Sequence, residues 1–311
     1  MARAFSGRDE RDAGEPIEAQ ARSKPAEGFG APFAPGLYLV ATPIGNLRDV
    51  TLRALDLLAA ADLVACEDTR VTAKLLRHYG LAPPRVPYHE HNAEQMRPHL
   101  LERLKAGAVV ALVSDAGTPL ISDPGYKLVR AALEEGIPVA ALPGASAALT
   151  GLVLSGLPSD RFFFAGFLPP RSAARRRALT ELAGVPATLV FFETAPRLAA
   201  ALADMNEILG ERKAAVAREL TKLYEETRRG SLLELAAHYR AAGPPKGELV
   251  VIVGPPGAER VAASDETLDA ALGAALATMS VKDASAAVAA ATGQPRRLVY
   301  QRALQLAGRD R

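Results

Sequence analysis

Residues 108–113, Ala-Val-Val-Ala-Leu-Val, form an unbroken apolar run that stops at Ser114-Asp115-Ala116-Gly117-Thr118-Pro119. A short apolar run bounded by turn residues reads as a strand buried on both faces, the habit of a parallel sheet. Parallel strands cannot be joined by tight hairpins, so such a strand obliges the chain to supply crossover helices around it. The loop that follows carries carboxylates, hydroxyls, glycines and prolines through Leu120-Ile121-Ser122-Asp123-Pro124-Gly125. In open α/β sheets, ligands lie beyond the carboxyl ends of the strands, which is where this loop is expected.

The surrounding sequence meets that demand. A strand pattern at 37–41 precedes a helix capped by Thr51, with Leu52, Leu55, Leu58 and Ala59 expected on one face. Strand 63–65, helix 71–79 closed by Gly80, helix 124–135, strand 137–142 and helix 146–155 continue the alternation. Pro158-Ser159-Asp160-Arg161 marks passage into a second α/β domain, with strands expected at 162–165, 188–193, 214–218 and 248–253. Pro255-Pro256-Gly257 reads as a linker to an alanine-rich helical unit over 265–308, in which helices on either side of Thr292-Gly293 suggest a helix-turn-helix. Residues 1–35 mix Pro, Gly, Ala and both charges without apolar periodicity and read as a disordered leader. The expected organisation is therefore a leader over 1–35, α/β domains over 36–157 and 158–256, and a helical domain over 257–311.

Composition removes several classes. A charged content of 23% with 49% hydrophobic residues is that of a soluble globular protein, and the net charge of +2 does not by itself argue for nucleic acid. A lone cysteine, Cys66, excludes an intrachain disulfide and a cysteine-built zinc site, and no metal is expected. Residues 137–159 carry no charged side chain, but Pro143-Gly144 interrupts them, so a strand, a turn and a buried helix explain them better than a membrane span. No apolar signal region follows Met1, and a cytoplasmic location is expected. Neither Gly-x-Gly-x-x-Gly nor Gly-x-x-x-x-Gly-Lys-Ser/Thr occurs, which disfavours dinucleotide and P-loop chemistry.

A series of blocks then points to one family: Leu39-Val40-Ala41-Thr42-Pro43-Ile44-Gly45-Asn46-Leu47, Cys66-Glu67-Asp68-Thr69-Arg70, His91-Asn92, the loop at 114–125 and Pro143-Gly144-Ala145-Ser146-Ala147. Gly156-Leu157-Pro158-Ser159-Asp160-Arg161-Phe162, Gly166-Phe167-Leu168-Pro169, Phe192-Glu193-Thr194-Ala195-Pro196-Arg197, Arg218-Glu219-Leu220-Thr221-Lys222 and Lys246-Gly247-Glu248 complete it. From about residue 36 to 254 the chain resembles the tetrapyrrole-methylase-like S-adenosylmethionine methyltransferases, most of all the branch that 2′-O-methylates a cytidine of small-subunit (16S) ribosomal RNA. The resemblance implies two α/β domains with the cofactor cleft between them, a small C-terminal helical domain and a homodimer. It also implies an S-adenosylmethionine site lined by Pro43, Gly45, Asp115, Ala116, Gly117, Thr118, Ser146, Ala147, Ala217 and Arg218.

A ribose hydroxyl is a poor nucleophile while protonated, so methyl transfer to it profits from a base as well as from alignment. Glu67, His91 and Glu193 are candidates, alongside Asp68, His89, Glu90 and Glu219, and sequence does not choose among them. Arg70 could pair with Glu67 or hold a phosphate, and Asn92 is placed for substrate contact. Arg175, Arg176 and Arg177 stand together near the start of a predicted helix, with Glu181 as the acidic neighbour in the next turn. The terminal segment adds Lys282, Arg296, Arg297, Arg302, Arg309 and Arg311. Such clusters suit backbone phosphates, while a 5% aromatic content without tryptophan argues against extensive base stacking. Ribosomal RNA or the assembled small subunit is the expected partner. Competing readings are a methyltransferase of the same scaffold acting on a tetrapyrrole or a modified protein side chain, and a non-catalytic nucleic-acid-binding protein.

Overall fold

The computed structural model describes residues 33–123, 125–292 and 296–308. Most of the expected leader, Pro124, Gly293, Arg309 and Arg311 therefore lie outside the described residues. The chain divides into two compact units. The first holds the chain up to Gly151 together with the returning segment Arg218–Glu226, and the second holds Leu152–Ala217 and everything from Thr227 onward. The return of 218–226 to the first unit is a feature that contiguous boundaries do not capture.

The first unit is built on β1 (Gly36–Val40), β2 (Leu63–Cys66), β3 (Arg85–Pro87), β4 (Val109–Val113) and β5 (Val139–Leu142). Their order is β3-β2-β4-β1-β5, and every neighbouring pair is parallel. β4, the run that anchors the sequence argument, is thus central and buried along its length. Its side chains alternate between two cores. Val109, Ala111 and Val113 face α1 (Leu52–Ala60) and α2 (Thr69–His78), while Val110 and Leu112 face α3 (Ala93–Lys105) and α4 (Tyr126–Glu134). The path from β1 through β2 to β3 moves toward one side of the sheet, and the path through β4 to β5 moves back. With right-handed crossovers this puts the two helix pairs on opposite faces.

One expected face is corrected. α1 buries Ala54, Leu57 and Leu58, and Leu52 is exposed. The Thr51 hydroxyl caps the helix by accepting from the Ala54 amide, which fixes the start so that the i, i+3, i+4 set from 54 meets the sheet. α2 begins earlier than expected because Asp68 is its N-cap.

The second unit carries a sheet in the order β6-β7-β10-β8-β9, with β6 (Phe162–Phe167) parallel and β10 (Glu248–Val253) antiparallel to β7 (Thr188–Thr194). β8 is Lys213–Arg218. β9, Glu226–Ser231, went unforeseen because Glu-Thr-Arg-Arg-Gly-Ser has no apolar alternation. α5 (Ala147–Ser155) precedes β6. The core joins α6 (Ser172–Leu182), α7 (Leu198–Leu209) and α8 (Leu232–Ala242) to this sheet through Leu179, Leu202, Leu235, Phe191 and Val251. α9 (Ala258–Leu276), α10 (Val281–Thr292) and α11 (Arg296–Ala307) form their own cluster around Leu272, Val288 and Val299. Among the described residues no helix is long and apolar enough to cross a membrane.

Inside the second unit, Arg175 of α6 is buried, with Nε donating to Asp204 Oδ2 at 2.7 Å and Nη1 to the Pro170 carbonyl at 3.2 Å. Removing one partner of a buried ion pair strands the other charge, which typically costs about 3–5 kcal/mol. Asp204→Ala is therefore expected to lower unfolding stability by about 3 kcal/mol in urea titration. A loss under about 1 kcal/mol would mean that the pair is effectively solvated.

Candidate active edge of the N-terminal unit

All five strands of the first sheet run parallel, so the loops leaving their carboxyl ends share one edge. Thr42, after β1, and Gly117, after β4, exchange two backbone hydrogen bonds of 2.9 and 3.0 Å and form an isolated antiparallel bridge. The Thr42 hydroxyl donates to the Ser114 carbonyl at 3.1 Å, and the Ser114 hydroxyl donates to the Gly117 carbonyl at 3.1 Å. The Thr118 hydroxyl reaches the Ala145 carbonyl at 3.4 Å, tying in the loop after β5. The Asp115 carboxylate accepts the Asp68 amide at 3.0 Å, tying in the loop after β2. Tyr88 donates its amide to the Cys66 carbonyl at 2.8 Å, which brings the loop after β3 alongside.

Backbone conformation explains two glycines. Gly117 has φ +79°, a region that other residues enter at a cost, and the bridge to Thr42 depends on it. At Gly45 the constraint is space. A Cβ there would lie 2.5 Å from Lys222 Cγ and 2.9 Å from the Leu220 carbonyl oxygen, because the returning segment packs directly on this loop. The Asn46 amide donates to Thr221 Oγ1 at 3.0 Å, and Glu219 and Thr221 hold φ of 50° and 66°. Leu120 and Ser122 are also left-handed, so the loop after β4 and the returning segment both carry strained backbone of the kind concentrated at functional sites.

The edge gathers carboxylates. Burial pushes the Glu67 carboxyl above its usual range, with Asp115 and Asp68 raising it further and His89 opposing. Burial, then Glu67 and Asp115, raise Asp123 to about 6, against a lowering hydrogen bond from Ser114. Asp68 moves the other way, to about 2, through its hydrogen bonds with Arg70. His89 Nδ1 is buried without a hydrogen-bond partner among the described residues. Asp123 was not among the residues singled out from sequence. Its position ten residues into a proline-rich loop gives no sign that it folds back beside Glu67.

Other candidates found different employment. Arg70 pairs with Asp68, not Glu67, at 2.7 Å. Asn92 is occupied within its own loop, accepting from the His89 amide and donating to the Pro87 carbonyl, both at 2.9 Å. His91 is exposed, with its ring 6.0 Å from that of His89. Pro43 is buried in the first loop, Ala116 is exposed in the fourth, and the Ser146 hydroxyl accepts the Leu149 amide at 3.5 Å at the start of α5, where Ala147 begins the helix. Arg218 pairs with Glu226 at 3.1 Å within the returning segment. In the second unit, Ala217 is fully buried on β8. Glu193 is also buried there, with Oε1 accepting the Thr194 amide at 2.7 Å and lying 3.3 Å from Arg197 Nε. The picture of an arginine triplet with acidic company only in the next helical turn is corrected. Arg175 is held by Asp204, and Arg176 pairs with Glu207 of α7, leaving Arg177 as the exposed member. Arg302 is similarly held by Asp269 at 2.6 Å, whereas Lys282, Arg296 and Arg297 are exposed.

With this geometry in place, the comparisons with known proteins converge. The model of the Tetrapyrrole (Corrin/Porphyrin) Methylases matches residues 36–236, and that of the RsmI C-terminal HTH domain matches residues 262–307. The chain belongs to the tetrapyrrole methylase family, in the branch of the small-subunit ribosomal RNA methyltransferases I. A Mesorhizobium japonicum relative named ribosomal RNA small subunit methyltransferase I is 54% identical over 88% of this chain and 93% of its own length. One of the same name from Erythrobacter litoralis is 54% identical over 88% of this chain and 96% of its own. Among solved structures, uroporphyrin-III C-methyltransferase from Thermus thermophilus, complexed with S-adenyl homocysteine, superposes with a TM-score of 0.50. It is 25% identical and covers 70% of this chain and 97% of its own.

The raised Asp123 carboxyl makes a pH prediction. A carboxyl whose folded pKa lies above its unfolded value favours the fold while protonated, and that advantage fades as pH rises between the two values. Stability should fall from near pH 4 to about pH 6 through this group. Asp123→Asn should flatten that slope and exceed the parent in stability at pH 7, as read by urea unfolding. Parallel curves for parent and variant would contradict the assigned environment. Asp68 acts in a separate window, losing its contribution as pH falls from 3.8 toward about 2.

Proposed function

We propose that this protein transfers a methyl group from S-adenosylmethionine to the 2′-hydroxyl of a cytidine in small-subunit ribosomal RNA. The observation that carries the reading is the acidic edge formed by Glu67, Asp115 and Asp123 around the Thr42–Gly117 bridge, in a chain 54% identical to proteins named for small-subunit ribosomal RNA methylation. The family's chemistry and the complexed Thermus relative support the cofactor.

The residues fit such a group. S-adenosylmethionine supplies an electrophilic methyl on a cationic sulfonium and carries an amino group but no phosphate. Carboxyls raised by burial and then by one another, as Glu67 and Asp123 are, welcome cations, and no phosphate cradle is needed. Thr42, Ser114 and Thr118 already lock their loops through backbone carbonyls, so the edge holds its shape before any ligand arrives. Pro43, Gly45, Asp115, Ala116, Gly117, Thr118, Ser146 and Ala147 belong to this edge. Ala217 and Arg218 enter the proposed site through the resemblance.

Glu67 is the base this reading favours. Its raised affinity for protons brings it closer to the range where a carboxylate can accept one at neutral pH, and His89 lies near enough to influence it. Glu67 would accept the ribose O2′–H proton, while the cofactor, when bound, would supply the methyl group as its sulfonium C–S bond breaks and the neutral thioether leaves. Glu193 is disfavoured because Arg197 and the Thr194 amide already occupy it. Arg177, Arg296 and Arg297 remain available to RNA phosphates, with the C-terminal helices as an RNA-binding unit. The same reading takes the enzyme as a cytoplasmic homodimer. Phe162, Phe163 and Phe167 are exposed on the edge strand β6, and that apolar edge supports self-association.

Two expected outcomes test the reading. Label from methyl-labelled cofactor should enter assembled small subunits and not a porphyrinogen, and Glu67→Gln should lower kcat by roughly 10²–10⁴-fold with little change in KM. Transfer to the porphyrinogen instead would favour the tetrapyrrole alternative. Separately, Gly117→Val should weaken S-adenosylmethionine binding in calorimetry while the circular dichroism spectrum persists. Unchanged affinity would remove this loop from the cofactor site.

A further inference from the structure

A groove of about 650 Å³ lies between α2 and the Ala82–Arg85 stretch leading into β3. Arg70, Lys74, Arg77 and Arg85 line it, together with Pro83 and Pro84, and no acidic side chain is among its lining residues. Arg70, Lys74 and Arg77 stand at i, i+4 and i+7, so they form one stripe of the helix. At 1.5 Å of rise per residue the stripe is about 10 Å long. All three cations are exposed, while the opposite face of α2 is buried through Thr72, Leu75 and Leu76.

Helix stability does not account for the stripe. Like charges four residues apart oppose a helix, and cations suit its last turn, which explains Arg77 but not Arg70 or Lys74. Among the described residues, Asp68 pairs with Arg70 at the upper end of the stripe. A generally basic composition does not account for it either, since the whole chain has a net charge of +2. Position supplies the remaining argument. Arg70 stands two residues beyond Asp68, whose amide is held by Asp115, so the groove leads away from the candidate active edge.

We propose that this groove is the track for the phosphodiester backbone of the substrate RNA strand, gripping phosphates that flank the modified nucleotide. The inference rests on the ribosomal RNA reading and deepens it. The proline wall offers no backbone donors, and the lining contains no aromatic side chain, so the groove reads charge and spacing and leaves base identity to other parts of the protein.

The test uses the full chain with Lys74→Ala and Arg77→Ala combined, both on the exposed face of α2. Binding of a fluorescent single-stranded RNA copied from small-subunit ribosomal RNA is measured across salt concentrations, with methyl transfer to assembled subunits and calorimetry with S-adenosylmethionine beside it. Losing two phosphate contacts should reduce the salt slope by about 1.4 and weaken RNA binding on the order of tenfold at low salt. KM for subunits should rise while kcat and cofactor affinity hold. A parent that binds and methylates RNA, with a variant identical in slope and KM, would overturn the groove alone. A parent that neither binds nor methylates RNA would overturn the ribosomal RNA reading and the groove with it.

Discussion

Two backbone hydrogen bonds between Thr42 and Gly117 hold together the edge on which everything else in the first unit depends. A parallel sheet delivers its post-strand loops to one end, but loops are individually free, and their polar groups must be paired or solvated. Here the bridge satisfies one donor and one acceptor on each of two loops. The Ser114 and Thr42 hydroxyls close the remaining gaps, and Asp115 extends the lattice to the loop after β2. The left-handed backbone at Gly117 is a condition of the bridge, and the strained Leu120 and Ser122 follow from the turn that returns the chain to α4.

That lattice also produces the electrostatics. Holding the loops close brings Glu67, Asp115 and Asp123 together with partial loss of water, which raises the Glu67 and Asp123 carboxyls. A cation relieves the repulsion, and a raised carboxyl accepts a proton more readily. One arrangement therefore suits both a sulfonium cofactor and a base for a ribose hydroxyl. The basic stripe on α2 starts beside it, at Arg70.

Much of the architecture was legible in the sequence because it is governed by local rules. The apolar run at 108–113 is the central strand, Thr51 caps α1, and the glycine loop leads out of β4. What escaped notice depends on contacts distant in sequence. β9 has no apolar pattern and is a strand through its sheet neighbour. Asp204 and Glu207 lie about thirty residues beyond the arginines they neutralise, so Arg175 looked available when it is buried. The close packing on Gly45 comes from a segment some 175 residues away, which no local pattern announces. Asp123 gains its character only from the fold that sets it beside Glu67.

The central claim is that the acidic edge directs a methyl group to a ribose oxygen of ribosomal RNA. Nucleoside mass spectrometry of small-subunit RNA, digested after reaction with purified protein and S-adenosylmethionine, tests it most directly. The account predicts one new 2′-O-methylcytidine per subunit, lost with Glu67→Gln. A methyl group on a base, or none on RNA while another substrate is methylated, would contradict it.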